Sequence, residues 1–148
     1  MLRSILLPID GSEASLLAAE TLADLIDKAP ATQVTIAIAI EPLSTVSSDY
    51  DEDTVIVQNA KMRDRAQIAL AKTATVFERR SIEHVTKIVE GDPVSAALAR
   101  EVETGSYDAV AMGSRGMGME KTDTHYIGSV TEHVIRRVNI PVIVIPVH

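Results

Sequence analysis

Five short aliphatic runs, residues 5–9, 34–40, 85–89, 109–112 and 142–145, divide this chain, and segments with helical spacing separate them. That alternation restricts the fold more than any other feature. Strands alternating with helices pair in parallel through right-handed crossovers, because a tight hairpin cannot join parallel neighbours. The first, fourth and fifth runs are almost continuously apolar, which predicts strands covered on both faces. Hydrophobic residues make up 46% of the sequence but aromatics only 3%, so Ile, Val, Leu and Ala must build the core. A chain of about this length buries roughly 68–70% of its extended surface on folding, enough for one independent core. The expectation is a single α/β domain spanning residues 1–148.

The intervening segments carry helix signals. Ser12 stands where an N-cap belongs, ahead of Leu16, Ala19, Leu22, Ala23 and Ile26 on one stripe, with Pro30 as a stop. Residues 54–80 place Met62, Ala66, Ala69, Thr73, Val76 and Phe77 at three- and four-residue spacing. A third helix is expected from Asp92-Pro93 to Gly105, and a fourth from Gly128-Ser129 to the neighbourhood of Asn139-Ile140-Pro141. Residues 41–53 hold five acids and no base, and read as a solvated loop.

Several function classes drop out. The chain has no Cys, which removes disulfide scaffolds, thiolate metal sites and Cys nucleophiles and fits a reducing compartment. Its net charge of −7 opposes a nucleic-acid surface, and its densest basic groups are only the pairs Arg79-Arg80 and Arg136-Arg137. No apolar stretch approaches the ~20 residues of a membrane helix, and the start is too short for a signal sequence. A soluble, cytoplasmic protein with no nucleic-acid or membrane partner is expected. His84, His125, His133 and His148 show no spacing suited to a shared metal. The P-loop, the G-x-G-x-x-G turn, H-E-x-x-H and G-x-S-x-G are all absent. A phospho-acceptor receiver is excluded too, since Asp10 stands alone after the first strand and the third strand ends Glu90-Gly91.

What remains is rich in glycine. Gly113-Ser114-Arg115-Gly116-Met117-Gly118 follows the fourth strand, and Gly128-Ser129-Val130-Thr131 opens the last helix. Glycines let backbone N–H groups approach an anion, and a helix start adds unpaired N–H groups and a positive dipole end. Ser114, Ser129 and Thr131 offer hydroxyls, and Arg115 offers a cation. Pro8-Ile9-Asp10-Gly11-Ser12 supplies either a second half-site or a plain helix cap. Ligands of open α/β sheets bind where neighbouring strands send their connections in opposite directions. If strand one neighbours strand four, Asp10 faces the glycine loop. If strand three neighbours strand one, the site involves Glu90-Gly91-Asp92 instead. The residues leave both orders open.

Ile5-Leu6-Leu7-Pro8-Ile9-Asp10-Gly11-Ser12-Glu13 resembles the opening of universal stress proteins. So do Val89-Glu90-Gly91-Asp92-Pro93, Asp108-Ala109-Val110-Ala111-Met112-Gly113-Ser114-Arg115-Gly116, Gly128-Ser129-Val130-Thr131-Glu132-His133-Val134 and Pro141-Val142-Ile143-Val144-Ile145. The similarity runs from Ile5 to Ile145. It implies an open, Rossmann-like parallel sheet in the order 3-2-1-4-5 with helices on both faces. It also implies a homodimer and, in one branch, ATP (or ADP or AMP) bound above strands one and four.

By that resemblance Pro8, Ile9 and Asp10 lie near adenine and ribose, with Ala39 beside the base. Met112 and Gly113 follow, then Arg115 and Gly116 at ribose and phosphate, with Gly128, Ser129 and Val130 completing the phosphate cradle. The family's ATP pattern is G-x2-G-x9-G-[ST], whereas eleven residues separate Gly116 from Gly128 here. Glu120 and Asp123 in that insert would repel phosphates unless a divalent cation such as Mg²⁺ or Mn²⁺ intervened.

The function expected is therefore a non-enzymatic, adenine-nucleotide-binding regulator of the stress response. It acts as a homodimer joined through Val142–Ile145, with a protein partner that the sequence does not identify. The alternatives are a weak ATPase or another nucleotide-hydrolysing enzyme, for which Asp10 and His125 are the only candidate groups, and a nucleotide-free dimer acting through protein contacts.

Overall fold

The computed structural model describes residues 2–29, 31–44, 46, 49–115 and 127–147. Among them strands and helices alternate strictly: β1 Ser4–Ile9, α1 Glu13–Ile26, β2 Gln33–Ile40, α2 Glu52–Glu78, β3 Glu83–Glu90, α3 Val94–Thr104, β4 Ala109–Gly113, α4 Ser129–Arg137 and β5 Val142–Ile145. Every neighbouring pair is parallel, and the order is β3-β2-β1-β4-β5. β1 therefore lies between β2 and β4, which decides between the two strand orders left open by the residues alone.

The period-2 alternation of β1 splits the core into two layers. Ile5, Leu7 and Ile9 face Leu22 of α1 and Leu70 and Phe77 of α2. Leu6 faces the other way, with Leu98 and Val102 of α3 and Val134 of α4. Each of these apolar side chains adds about 1.5–3 kcal/mol on full burial, and together they sandwich the sheet.

Burial on both faces holds for β1 and β4 but not for β5. Val142, Ile143 and Val144 are only half-buried, because β5 is an edge strand. β3 forms the opposite edge and is mostly exposed, carrying Glu83, Lys87 and Glu90.

Helix ends depart from the sequence-based expectation where a cap decides. α2 begins at Glu52 because Asp51 caps it, its Oδ1 accepting from the Thr54 N–H at 2.7 Å. The last three acids of the 41–53 segment thus belong to a helix start, where negative charge suits the dipole. In α3 the cap position is taken by Pro93 rather than Asp92, so the first helical residue is Val94. α1 stops at Ile26, ahead of Pro30. Among the described residues no helix is long and apolar enough to cross a membrane.

Candidate functional site

β1 and β4 are neighbours whose following helices, α1 and α4, pack on opposite faces of the sheet. Their C-terminal ends therefore part and leave a cleft. It has a volume of about 150 Å³. Its floor is Pro8, Ile9 and Asp10 from the end of β1, with Met112 and Gly113 from the end of β4. Ala39 of β2 and Val94 and Leu98 of α3 make one wall, and the start of α4 makes the other.

The β1 side is built around a turn. Asp10 Oδ1 accepts from the Ser12 N–H at 2.9 Å, and Gly11 adopts φ +81°, a left-handed backbone that favours glycine. Ser12 is the N-cap of α1, its Oγ accepting from the Ser15 N–H at 3.1 Å. Asp10 is accordingly not the helix cap. It shapes the turn from the cleft floor.

The β4 side is knitted to β5 and α4 through Ser114. Its N–H donates to Ile145 O (2.8 Å), its carbonyl accepts from the Gly128 N–H (2.8 Å), and its Oγ accepts from the Val147 N–H (3.1 Å). Thr131 Oγ1 donates to Gly113 O at 3.0 Å. Two of the three hydroxyls expected to serve a ligand, those of Ser114 and Thr131, thus brace the site. Ser129 stays exposed. Gly128 occupies the cap position of α4 with no side-chain cap, so Ser129 is the first helical residue rather than the cap. The N–H groups of Ser129, Val130 and Thr131, with no helical turn before them, are the donors an uncapped helix start offers to an anion. Arg115 lines the cleft and is 9% exposed.

Ten of the residues expected at a ligand line this one cleft: Pro8, Ile9, Asp10, Ala39, Met112, Gly113, Arg115, Gly128, Ser129 and Val130. Gly116, His125 and the acids Glu120 and Asp123 lie outside the described residues. Sequence reasoning missed Ser15, Val94 and Leu98, which also line it. The i, i+4 spacing of Val94 and Leu98 marks one face of α3, but not that this face reaches a cleft. Among the described residues no group of three or more His, Asp or Glu side chains is placed to hold a metal ion.

Residues 1–146 match the universal stress protein family. The chain belongs to that family. It is 26% identical over 145 residues to universal stress protein MJ0531 of Methanocaldococcus jannaschii, covering 97% of this chain and 81% of that one. Its fold is similar to that of the hypothetical protein MJ0577, with a TM-score of 0.83, 25% identity and coverage of 100% of this chain and 98% of the other. It is also similar in fold to a universal stress protein family protein of Arabidopsis thaliana with AMP bound, with a TM-score of 0.71, 13% identity and coverage of 98% and 92%.

Proposed function

We propose that this universal stress protein is an adenine-nucleotide-binding regulatory module that takes ATP, ADP or AMP in the β1/β4 cleft and works as a homodimer. The supporting observation is the opposed polarity of the two cleft ends. β2 runs on to Ile40, whereas β1 ends at Ile9, opposite Ile38. Ile40 O accepts from the Gly91 N–H at 3.1 Å on the β3 side. Successive strand residues point their backbone groups to opposite neighbours, so the Ala39 carbonyl turns toward the space past the end of β1. That acceptor suits the 6-amino group of adenine, whereas guanine would bring a carbonyl oxygen to the same place. Val94, Leu98 and Met112 supply an apolar slot for the ring, and the uncapped start of α4 opposite suits phosphate. The AMP held by the Arabidopsis relative is consistent with this reading.

Binding of this kind needs no chemistry. Among the described residues Asp10 is the only carboxylate lining the cleft, and one of its oxygens already serves the turn. A divalent cation, Mg²⁺ or Mn²⁺, would arrive on the nucleotide's phosphates.

Thermal melting with ATP, ADP, AMP and GTP, each with and without Mg²⁺, tests the proposal. A ligand at one hundred times its dissociation constant stabilises the fold by about 2.7 kcal/mol. For a domain of this size the expected rise is roughly 5–10 °C. Adenine nucleotides should raise the melting point and GTP should not. No rise with any adenine nucleotide would refute the reading, and an equal rise with GTP would refute the role given to Ala39.

A further inference from the structure

The negative charge of this protein is concentrated in one place. Residues 41–53 contain Glu41, Asp49, Asp51, Glu52 and Asp53 and no Lys or Arg. The rest of the chain carries 16 of the 21 acids against all 14 bases, so five of the seven excess negative charges fall in this short stretch. Hydrogen bonding and repulsion from Asp92 raise the Glu41 carboxyl above its ordinary range, a sign of like charges crowded at the foot of the segment.

Within the segment, residues 49–53 are all exposed. Arg63 of α2 pairs with Glu90, the last residue of β3, at 2.8 Å, which ties the helix to the end of that strand. The helix from Glu52 to Met62 is about 16 Å long at ~1.5 Å per residue. In that part of α2 only Val55 is buried. Asn59 fixes the ledge, its Oδ1 accepting from the Leu43 N–H at 2.8 Å and its Nδ2 donating to Leu43 O at 3.0 Å. The ledge exposes large apolar side chains among its acids: Tyr50 (58% exposed), Ile56 (59%) and Val57 (50%).

We propose that this ledge docks a basic, amphipathic segment of a partner protein. Acids and bare apolar side chains on one capped helix start match a partner that brings Lys or Arg together with apolar anchors. A second copy of the same face, a nucleic acid or an anionic membrane would each meet charge of its own sign. The partner surface lies at the same C-terminal end of the strands as the cleft yet uses none of the cleft's residues.

Fluorescence anisotropy of a labelled Lys/Leu peptide, with Leu at three- and four-residue spacing, tests the proposal on the full chain. Binding should saturate at low salt and weaken as salt rises. Glu52→Gln with Asp53→Asn, and separately Ile56→Ser with Val57→Ser, should each cut affinity by about tenfold. Asp27→Asn with Glu103→Gln removes the same charge elsewhere and should leave affinity unchanged. Circular dichroism checks that each variant is folded. The proposal is overturned by absence of binding, by an equal loss in the Asp27/Glu103 variant, or by unchanged affinity in the Ile56/Val57 variant.

Discussion

Glu101 of α3 is 8% exposed, and its Oε1 accepts from two donors, Lys87 Nζ at 2.7 Å and Tyr107 OH at 2.8 Å. Burial, and then the hydrogen bond to Glu101, push the Tyr107 phenol up to about 12 from an ordinary value of 10. A phenol held protonated longer in the folded state than in the unfolded one contributes stability that is full below pH 10 and is lost as pH rises toward 12. Tyr107→Phe should therefore cost about 1–2 kcal/mol at neutral pH, because Glu101 loses a buried partner. The same change should flatten the alkaline fall in stability. Urea melts at neutral and alkaline pH measure both, and an unchanged alkaline slope in the variant would refute the role given to Tyr107. This pair was not legible in the sequence. Glu101 reads as one more surface acid on a helix, and only packing against the sheet shows that it points inward.

At the scale of elements, the alternation of aliphatic runs and helical stripes was enough to find every strand and helix of the described chain. Their limits were less legible, because single side chains or backbone states set them. Asp51 pulls α2 two residues earlier by capping Thr54, and Pro93 takes the place expected of Asp92. The start of α4 carries a sharper consequence. Gly128 has φ −57° and ψ 146°, a backbone that any L residue tolerates, so its glycine is not required by conformation. What glycine leaves there is a bare approach to the first N–H groups of α4. Gly128→Val should cost the fold no more than about 1 kcal/mol, the usual scale for a cap substitution. Nucleotide affinity should fall by about tenfold or more, the loss of at least one charge-assisted hydrogen bond. Calorimetry and urea melts on the one variant separate the two effects. Affinity equal to that of the parent protein would mean that Gly128 serves the connection alone.

For the whole molecule, strand order was open to the residues and followed only from the family resemblance, since local periodicity says nothing of which strand lies beside β1. Assembly depends on that order, because it puts β3 and β5 at the two edges of the sheet. The edges are unlike. β3 sets Glu83, Lys87 and Glu90 along its length, the charged guard that keeps an edge from pairing. β5 has no charged residue between Asn139 and His148, and Val142, Ile143 and Val144 are half-buried in the single chain. The apolar composition that predicted coverage on both faces fits an edge that would be covered in the proposed dimer. A two-fold axis lets two copies of β5 run antiparallel, each satisfying the other's open N–H and C=O groups. Pro141 and Pro146 cannot donate, so such a ladder would be confined to the four residues Val142–Ile145. Such a short ladder depends on its side chains, and a Lys at its centre would place two ammonium groups in the contact. Val144→Lys is therefore expected to give a folded monomer where the parent protein is a dimer. Light scattering reads the mass and circular dichroism the fold. A parent protein that is monomeric at micromolar concentration, or a Lys variant that remains dimeric, would refute the β5 interface and with it the dimeric form of the proposed module.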